Sequence, residues 1–152
     1  MEKMLFSPLA IEDKVVELAD IINTKYPPGQ RTNPNNYPVL TPILQGGITF
    51  FQDVAKSLLC DAYIDCVGVS SYNGKAQGDF DLWKPWSIDL VDKDVWLIDD
   101  IADSGNTLAH LEKLAYEKGA NHVYKATLLR RKTCLLELDF SGFDLDDEWV
   151  FG

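Results

Sequence analysis

The chain has 152 residues, of which 46% are apolar and 25% charged, and its net charge is −10. This size and composition are ordinary for a globular protein, and we expect a single domain over residues 1–152. The acidic balance argues against nucleic acid or an anionic membrane as a partner, because both need a positive surface. A small anionic ligand stays compatible with it, since backbone N–H groups, a metal ion or the local bases Arg130, Arg131 and Lys132 can hold one.

Two sequence features bear on location. No apolar run is long enough to span a bilayer, and the first residues, MEKMLFSPLAIEDK, lack a signal-peptide pattern, so we expect a cytoplasmic protein. Cys60, Cys66 and Cys134 fit this expectation, because three cysteines without a CxxC pair indicate neither a disulfide framework nor a zinc site. We expect all three to be buried, reduced thiols.

The first elements are a helix, a strand and a second helix. Ser7-Pro8 predicts a helix N-terminus, apolar residues follow at helical spacing, and Pro27-Pro28-Gly29 ends the helix. A short buried strand is predicted over 39–44, although proline at position 42 removes a ladder donor. The phenylalanine-rich segment after it predicts a helix, with Phe50, Phe51, Val54, Ala55 and Leu58 on its inner side.

Strands and helices continue to alternate in the second half of the chain. The predicted order is a β-rich segment over 63–71, a polar segment whose first half we expect to be mobile, a strand over 95–99, a helix over 107–117, a strand over 122–129 and an acidic, partly strand-like tail. This alternation predicts an α/β fold with a central, mostly parallel sheet and helices on both faces.

The segment VWLIDDIADSGNTLAHLEKL, residues 95–114, carries the strongest functional signal. Asp99 and Asp100 come at the carboxyl end of the predicted strand, where parallel sheets bind ligands. Carboxylates accept hydrogen bonds from ribose hydroxyls and are also ligands for magnesium. Residues 103–107 then lead into a helix N-terminus, which favours an anion, and Gly105 lets the backbone approach closely. The segment therefore predicts a site for a ribose 5-phosphate.

The alternative interpretation of this segment is purely structural. Paired aspartates at a strand end can form a turn, and Asp103-Ser104 would make a good N-cap for the helix. For two adjacent acids alone, that interpretation would be preferred. The whole run of strand, paired acids, small polar loop and helix favours a ligand site. It is not a Walker A loop, because no Gly-Lys-Thr/Ser is present.

The stretch IDDIADSGNT, residues 98–107, closely resembles the phosphoribosyl pyrophosphate motif of the type I phosphoribosyltransferases. From about Val39 to Val150 the chain resembles the 6-oxopurine branch of that family. The resemblance implies the family's fold, with a small hood beside the sheet. It also implies purine salvage: transfer of the 5-phosphoribosyl group from phosphoribosyl pyrophosphate to hypoxanthine, guanine or xanthine, with Mg²⁺, in a homodimer or homotetramer.

The resemblance also implies roles for individual residues of this motif. Asp99 and Asp100 would hold the ribose hydroxyls, directly or through magnesium or water. Asp103 would be the catalytic residue that exchanges a proton with N7 of the purine. The residues implied for the 5-phosphate are Asp103, Ser104, Gly105, Asn106 and Thr107.

Three further segments match the family pattern. The segment Gln45-Gly46-Gly47 matches the pyrophosphate loop, with a cis peptide implied between Leu44 and Gln45. The pair Ser71-Tyr72 begins what resembles the mobile catalytic loop. The implied purine contacts are Arg131 in the place of a lysine that reaches the 6-oxygen, Trp149 as a stacking aromatic, and Val150 through its backbone. Arg130 or Lys132 would take the place of Arg131 if the register differs by one.

The chain also departs from the family pattern. Gln45 stands where this branch usually has a basic residue, and arginine at 131 differs from lysine in reach and shape. Close relatives continue past the position of Gly152 with a segment that carries an acidic contact, so we expect that contact to be absent or supplied from elsewhere. These departures keep open a regulator that binds nucleotide or phosphoribosyl pyrophosphate without turnover. A different base is a further alternative.

Several other candidate residues are expected to be structural. Trp96 lies in the predicted core strand and should be packing. Trp83 and Trp86 should pack against the hood or a neighbouring subunit. His110 and His122 are expected at surface or half-buried positions without a catalytic role.

Overall fold

The computed structural model describes residues 3–30, 32–71 and 80–150. In chain order the elements are helix α1 (Pro8–Lys25), a short 3-10 helix (Pro34–Asn36), strand β1 (Val39–Leu44), helix α2 (Gly47–Ala55), strands β2 (Tyr63–Ile64), β3 (Val67–Ser71), β4 (Phe80–Lys84) and β5 (Asp94–Ala102), helix α3 (Asn106–Glu117), and strands β6 (His122–Arg131) and β7 (Phe140–Leu145). Within these ranges, none of the helices is both long enough and apolar enough to cross a membrane.

The described strands form one sheet in the order β4-β3-β1-β5-β6-β7, and β2 pairs with β1. All pairs are parallel except β3 with β4, which is antiparallel. The prediction of a mostly parallel sheet is therefore confirmed. Parallel order brings the carboxyl ends of β1, β5 and β6 to one edge, and the residues that follow these strands meet there.

The helices cover both faces of this sheet, as predicted. Along β5, Val95 and Leu97 pack with the buried side of α3, whereas Trp96 and Ile98 pack with α1 and α2. This alternation follows from the two-residue period of a strand. It confirms that Trp96 is a core residue, and it explains why β5, covered on both faces, has an unbroken apolar run.

The N-terminal helix follows its sequence signals. The Ser7 hydroxyl accepts a hydrogen bond from the Ala10 N–H at 3.1 Å, and Pro8 occupies the first helical position. Both features satisfy or remove N–H groups that a helix leaves unpaired at its start. The helix ends at Lys25, before the proline pair, as predicted.

Proline at position 42 is accommodated inside β1. Pro42 pairs in register with Ile98 of β5. The Leu40 carbonyl accepts from the Asp65 N–H, so even-numbered residues of β1 direct their polar groups toward β2 and β3. The donor that Pro42 lacks therefore falls at the break between β2 and β3, where it interrupts little of the ladder.

The β-rich segment 63–71 is two strands rather than one. Asp65, 6% exposed, lies in the break, and its carboxylate accepts hydrogen bonds from the N–H groups of Ser87 and Ile88 at 2.6 and 2.9 Å. Lys84 adds an ion pair at 3.3 Å. These contacts fasten the segment after β4 to the sheet. Strand β4 itself lies in a segment for which no strand was predicted.

Other predictions need smaller corrections. Helix α2 ends at Ala55, so Leu58 lies beyond it and not on its inner side. Of the three cysteines only Cys134 is buried, while Cys60 and Cys66 are half-buried. Trp86 packs in the main core and donates to the Thr41 hydroxyl at 3.0 Å, so it does not pack against a hood or a neighbouring subunit.

Candidate active site

Paired carboxylates lie in the last part of β5. The strand was predicted to end at Asp99, but it continues to Ala102 because β6 also continues and pairs with Ile101 and Ala102. Asp99 and Asp100 are therefore strand residues near its carboxyl end, not residues of the loop. The Asp99 carboxylate accepts from the Asp100 N–H at 2.9 Å, and the Asp100 carboxylate accepts from the Ile101 N–H at 2.8 Å.

Asp99 has a strongly perturbed titration. Burial, followed by hydrogen bonding and charge from the neighbouring Asp100 carboxylate, raises the pKa of Asp99 from its ordinary value of 3.8 to about 8. The charged form of Asp99 is thus disfavoured when the two acids stand alone. A bound cation or a set of hydroxyl donors would relieve this penalty, so the pair is suited to holding such a group.

The loop between β1 and α2 abuts the acidic pair. Its peptide bond between Leu44 and Gln45 is cis, as the resemblance implies. Gly46 precedes α2, and a Cβ atom added to it would lie 2.5 Å from Oδ2 of Asp100. A Cβ atom on Gly47 would lie 2.6 Å from the Ile98 carbonyl oxygen. Both glycines are therefore required for the close approach of this loop to β5. Gln45, which precedes them, is exposed.

Residues 103–107 form the turn from β5 into α3. The helix begins at Asn106, and its N-cap is Gly105 with a left-handed φ of +84°. The Asp103-Ser104 cap of the purely structural interpretation is not formed: the N-cap is Gly105, which offers no side chain, and the Ser104 hydroxyl accepts from the Asn106 N–H at 3.2 Å. The first turn of α3 keeps N–H groups that no helical carbonyl accepts, which is the requirement for an anion cradle.

Gly105 is enclosed by the loop after β6. A Cβ atom at this position would lie 2.7 Å from Cβ of Leu136 and 3.0 Å from Sγ of Cys134. The sequence contains no pattern that marks Cys134 and Leu136 as supports of the cradle. Their contribution depends on how the loop between β6 and β7 folds back against the start of α3.

Arg131 ends β6 and joins this turn to the C-terminal tail. Its Nε donates to the carboxylate of Asp103, and its Nη1 donates to the carbonyl oxygens of Asp146 at 2.9 Å and Glu148 at 3.0 Å. The structure therefore brings Arg131 beside Asp103, as expected if both line one site. The hydrogen bonds to the tail were not predicted, because they end on backbone atoms.

The neighbouring bases are also paired with acids. Arg130 lies 3.3 Å from Asp144, and Lys132 lies 2.7 Å from Asp146, which raises the pKa of Lys132. The basic run was considered a local site for an anion. Since each of its members faces a carboxylate, the run is largely neutralised, and a positive patch for nucleic acid is not formed there.

The remaining predicted site residues are Ser71, Tyr72, Trp149 and Val150. Trp149 is 85% exposed, and Val150 is half-buried. Ser71 ends β3, whereas Tyr72 lies outside the described residues. His110 is half-buried and stacks on Phe80 with ring centroids 5.0 Å apart, in agreement with its expected structural position.

A polar cavity of about 370 Å³ lies at the opposite edge of the sheet, near the amino end of β5. Asn33, Asp92, Asp94 and Asn121 are among its lining residues. Asp94 accepts from Tyr26 and Asn121 there, so its carboxylate is already used to fasten α1 and the start of β6 to β5. The cavity is separate from the paired acids and the glycine turns.

Comparison with known proteins agrees with this geometry. The phosphoribosyl transferase domain matches residues 3–152. The chain belongs to the phosphoribosyltransferase family with the type I fold, and within it resembles the 6-oxopurine branch.

Named relatives point to the same branch. The chain is 30% identical to a hypoxanthine-guanine phosphoribosyltransferase of Lactococcus lactis, over 100% of this chain and 81% of that protein. It is 29% identical to the enzyme of the same name from Bacillus subtilis, over 100% and 83%. A crystal structure of a hypoxanthine phosphoribosyltransferase from Staphylococcus aureus superposes with a TM-score of 0.85 at 26% identity, covering 97% of this chain and 79% of that one.

Proposed function

We propose that this protein transfers the 5-phosphoribosyl group of phosphoribosyl pyrophosphate to N9 of a 6-oxopurine, in purine salvage. The observation that carries the proposal is one edge of the sheet, where the acids Asp99 and Asp100 lie between two glycine-bearing turns. Each turn opens a helix whose N-terminus favours an anion. The arrangement suits a ribose with phosphate groups on both sides.

In this proposal one turn binds the 5-phosphate and the other binds the pyrophosphate. Residues 103–107, through backbone N–H groups and the hydroxyls of Ser104 and Thr107, hold the 5-phosphate. The turn with Gly46 and Gly47 holds the pyrophosphate, and Asp99 and Asp100 accept hydrogen bonds from the ribose hydroxyls. Gln45 brings no charge to the pyrophosphate, so neutral donors and helix dipoles carry more of that binding than in relatives with a basic residue.

Magnesium is the cofactor that we propose. The donor set fits it, because Mg²⁺ commonly takes one or two carboxylates together with phosphate oxygens and water. Asp99 and Asp100 would hold the ion, directly or through water, and its charge would offset the burial and the repulsion by Asp100 that raise the pKa of Asp99. When bound, the ion would neutralise the departing pyrophosphate.

The base would be held between β6 and the tail. Nη2 of Arg131 has no hydrogen-bond partner among the described residues, so it is the donor left for the 6-oxygen of a purine. Trp149 would stack on the ring, and the backbone of Val150 would contact the base edge. The exposed Trp149 ring is compatible with a surface that the base covers on binding.

The chemical step follows from these positions. The bond from C1 of the ribose to the pyrophosphate oxygen breaks, the bond from N9 to C1 forms, and Asp103 takes the proton that leaves N7. Positive charge develops on the sugar in the transition state, and the carboxylates of Asp99 and Asp100 stabilise it. A closing loop beginning at Ser71-Tyr72 would exclude water from the activated sugar.

A turnover assay tests the proposal. The protein is mixed with Mg²⁺, phosphoribosyl pyrophosphate and, separately, hypoxanthine, guanine, xanthine, adenine or uracil. We expect nucleotide from at least one 6-oxopurine, and a loss of roughly 100-fold or more in Asp103→Asn, as for removal of a general base. Tight binding of phosphoribosyl pyrophosphate without product from any base would overturn the enzyme and support a ligand-sensing regulator. Product from adenine or uracil alone would change the proposed base.

A further inference from the structure

The guanidinium of Arg131 makes more contacts than a base-binding side chain needs. Its side chain is 18% exposed, and it reaches Asp103 on one side and the carbonyl oxygens of Asp146 and Glu148 on the other. Three of its five N–H donors are thereby directed at protein acceptors. Asp103 is the proposed proton-transfer residue, and residues 146–150 carry the two proposed contacts of the tail with the base.

Arginine suits this arrangement better than lysine does. A guanidinium is planar and presents its donors in fixed directions, so it can bridge a carboxylate and two carbonyl groups at once. An ammonium group is a compact charge on a flexible stem and cannot span the same three acceptors in fixed geometry. The lysine that the family resemblance implies at this position would therefore not make the same set of contacts.

We propose that Arg131 is a positioning residue that couples the order of tail residues 146–150 to the orientation of the Asp103 carboxylate. The catalytic consequence rests on the proposed function; the structural coupling does not. If the tail is displaced, the guanidinium loses two of its acceptors and Asp103 loses a fixed partner. Binding of a base against the tail is then coupled to the alignment of Asp103 with N7.

The neighbouring ion pairs provide a matched control. Arg130 is adjacent to Arg131 and carries the same charge, but it pairs with Asp144 in β7 and reaches neither Asp103 nor the tail carbonyls. Arg130→Gln therefore removes one positive charge and one ion pair without touching the proposed coupling. The side chain of Lys132 contacts the tail through the exposed carboxylate of Asp146. This contact is unchanged by substitution of either Arg130 or Arg131.

The first test is independent of activity. Backbone ¹⁵N relaxation of residues 146–150 is measured in the wild type, Arg131→Gln, Arg131→Lys and Arg130→Gln. We expect order parameters near those of rigid backbone, about 0.85, in the wild type and Arg130→Gln, and values below about 0.6 in both variants of Arg131. Equal tail order in Arg131→Gln and Arg130→Gln would overturn the coupling.

The second test is a double-mutant cycle on turnover. Arg131→Gln should lower kcat by roughly tenfold or more, as expected for loss of a charge-assisted hydrogen bond. The KM for phosphoribosyl pyrophosphate should change less than about twofold. In the Asp103→Asn background the same substitution should cost much less, because the carboxylate to be positioned is already gone.

Arg131→Lys separates positioning from base contact. A residue that only contacts the 6-oxygen should tolerate lysine with little loss of kcat, whereas a positioning residue should lose kcat much as in Arg131→Gln. Additive effects of the changes at 103 and 131, or full activity of Arg131→Lys, would overturn the inference. A wild type that turns over no base would sink the proposed function, and the relaxation measurement would then decide the coupling alone.

Discussion

At the residue scale, Asp99 combines burial with a like-charged neighbour. Its pKa, raised to about 8 by burial and by Asp100, means that the folded protein keeps a proton that the unfolded chain has released at neutral pH. For an acid whose pKa is raised on folding, the contribution to stability is fully present below the ordinary value of 3.8 and is lost as the pH rises through about 8. This loss of stability therefore falls in the neutral pH range, in which the proposed site would work.

We predict that Asp99→Asn changes the pH dependence of stability. Without magnesium, the free energy of unfolding of the variant relative to the wild type should shift in the variant's favour as the pH rises from about 4 to about 8, because asparagine stays neutral. Urea unfolding at a series of pH values measures this. The exposed Asp61→Asn serves as control, and a difference for Asp99→Asn that is constant with pH would contradict the account.

Gly105 supports a second prediction at this scale. Gly105→Ala forces an alanine into the left-handed backbone conformation and brings its Cβ atom into a clash with Leu136 and Cys134. We therefore expect a loss of roughly 2–4 kcal/mol in the free energy of unfolding. Gly29→Ala is the matched control, since Gly29 has a φ of +74° and nothing within 4 Å of an added Cβ atom. Equal losses in the two variants, measured by urea unfolding, would show that the clash is absent.

At the element scale, the strand breaks and extensions depend on contacts between distant segments. The apolar runs and helical spacing were sufficient to predict α1, β1, β5, α3 and β6. They could not predict that β5 continues through Asp100, because that depends on pairing with the end of β6. Nor could they predict β4, which pairs with β3 and is followed by a segment that the carboxylate of Asp65, some twenty residues earlier in the chain, fastens to the sheet.

The candidate site, too, could be predicted from the sequence only in part. The acids and the glycine at 99–107 were singled out as candidates because their residue types can be read directly from the sequence. The tail contacts of Arg131 were not, because carbonyl oxygens are present at every residue and carry no sequence signal. The support of Gly105 by the loop after β6 depends likewise on packing between segments that are remote in sequence.

Asp65 gives a testable prediction at this scale. Asp65→Ala leaves the N–H groups of Ser87 and Ile88 without their acceptor, and we expect a loss of roughly 2–4 kcal/mol in the free energy of unfolding. Amide hydrogen exchange in β4 should accelerate more than in β5, because the lost contacts hold the β4 side of the sheet. Uniform acceleration in both strands, or a stability equal to that of the wild type, would argue against this role.

At the scale of the whole molecule, we propose a homodimer or homotetramer, as the family resemblance implies. Several apolar side chains of the described residues are well exposed, including Leu9 at 73%, Leu59 at 70% and Ile64 at 60%. Burying such side chains between subunits would be favourable. Sedimentation velocity over a range of concentrations measures the assembly, and a monomer at every concentration would refute the proposal.

The proposed function requires the carboxyl edge of β1 and β5 to bind a ribose 5-phosphate. A crystal structure of the protein with Mg²⁺ and a purine nucleoside monophosphate tests it most directly. We expect the phosphate within hydrogen-bond distance of backbone N–H groups of residues 104–107, with the ribose hydroxyls at Asp99 and Asp100. A phosphate bound in the polar cavity near Asn33 and Asn121, at the opposite edge of the sheet, would contradict the proposal.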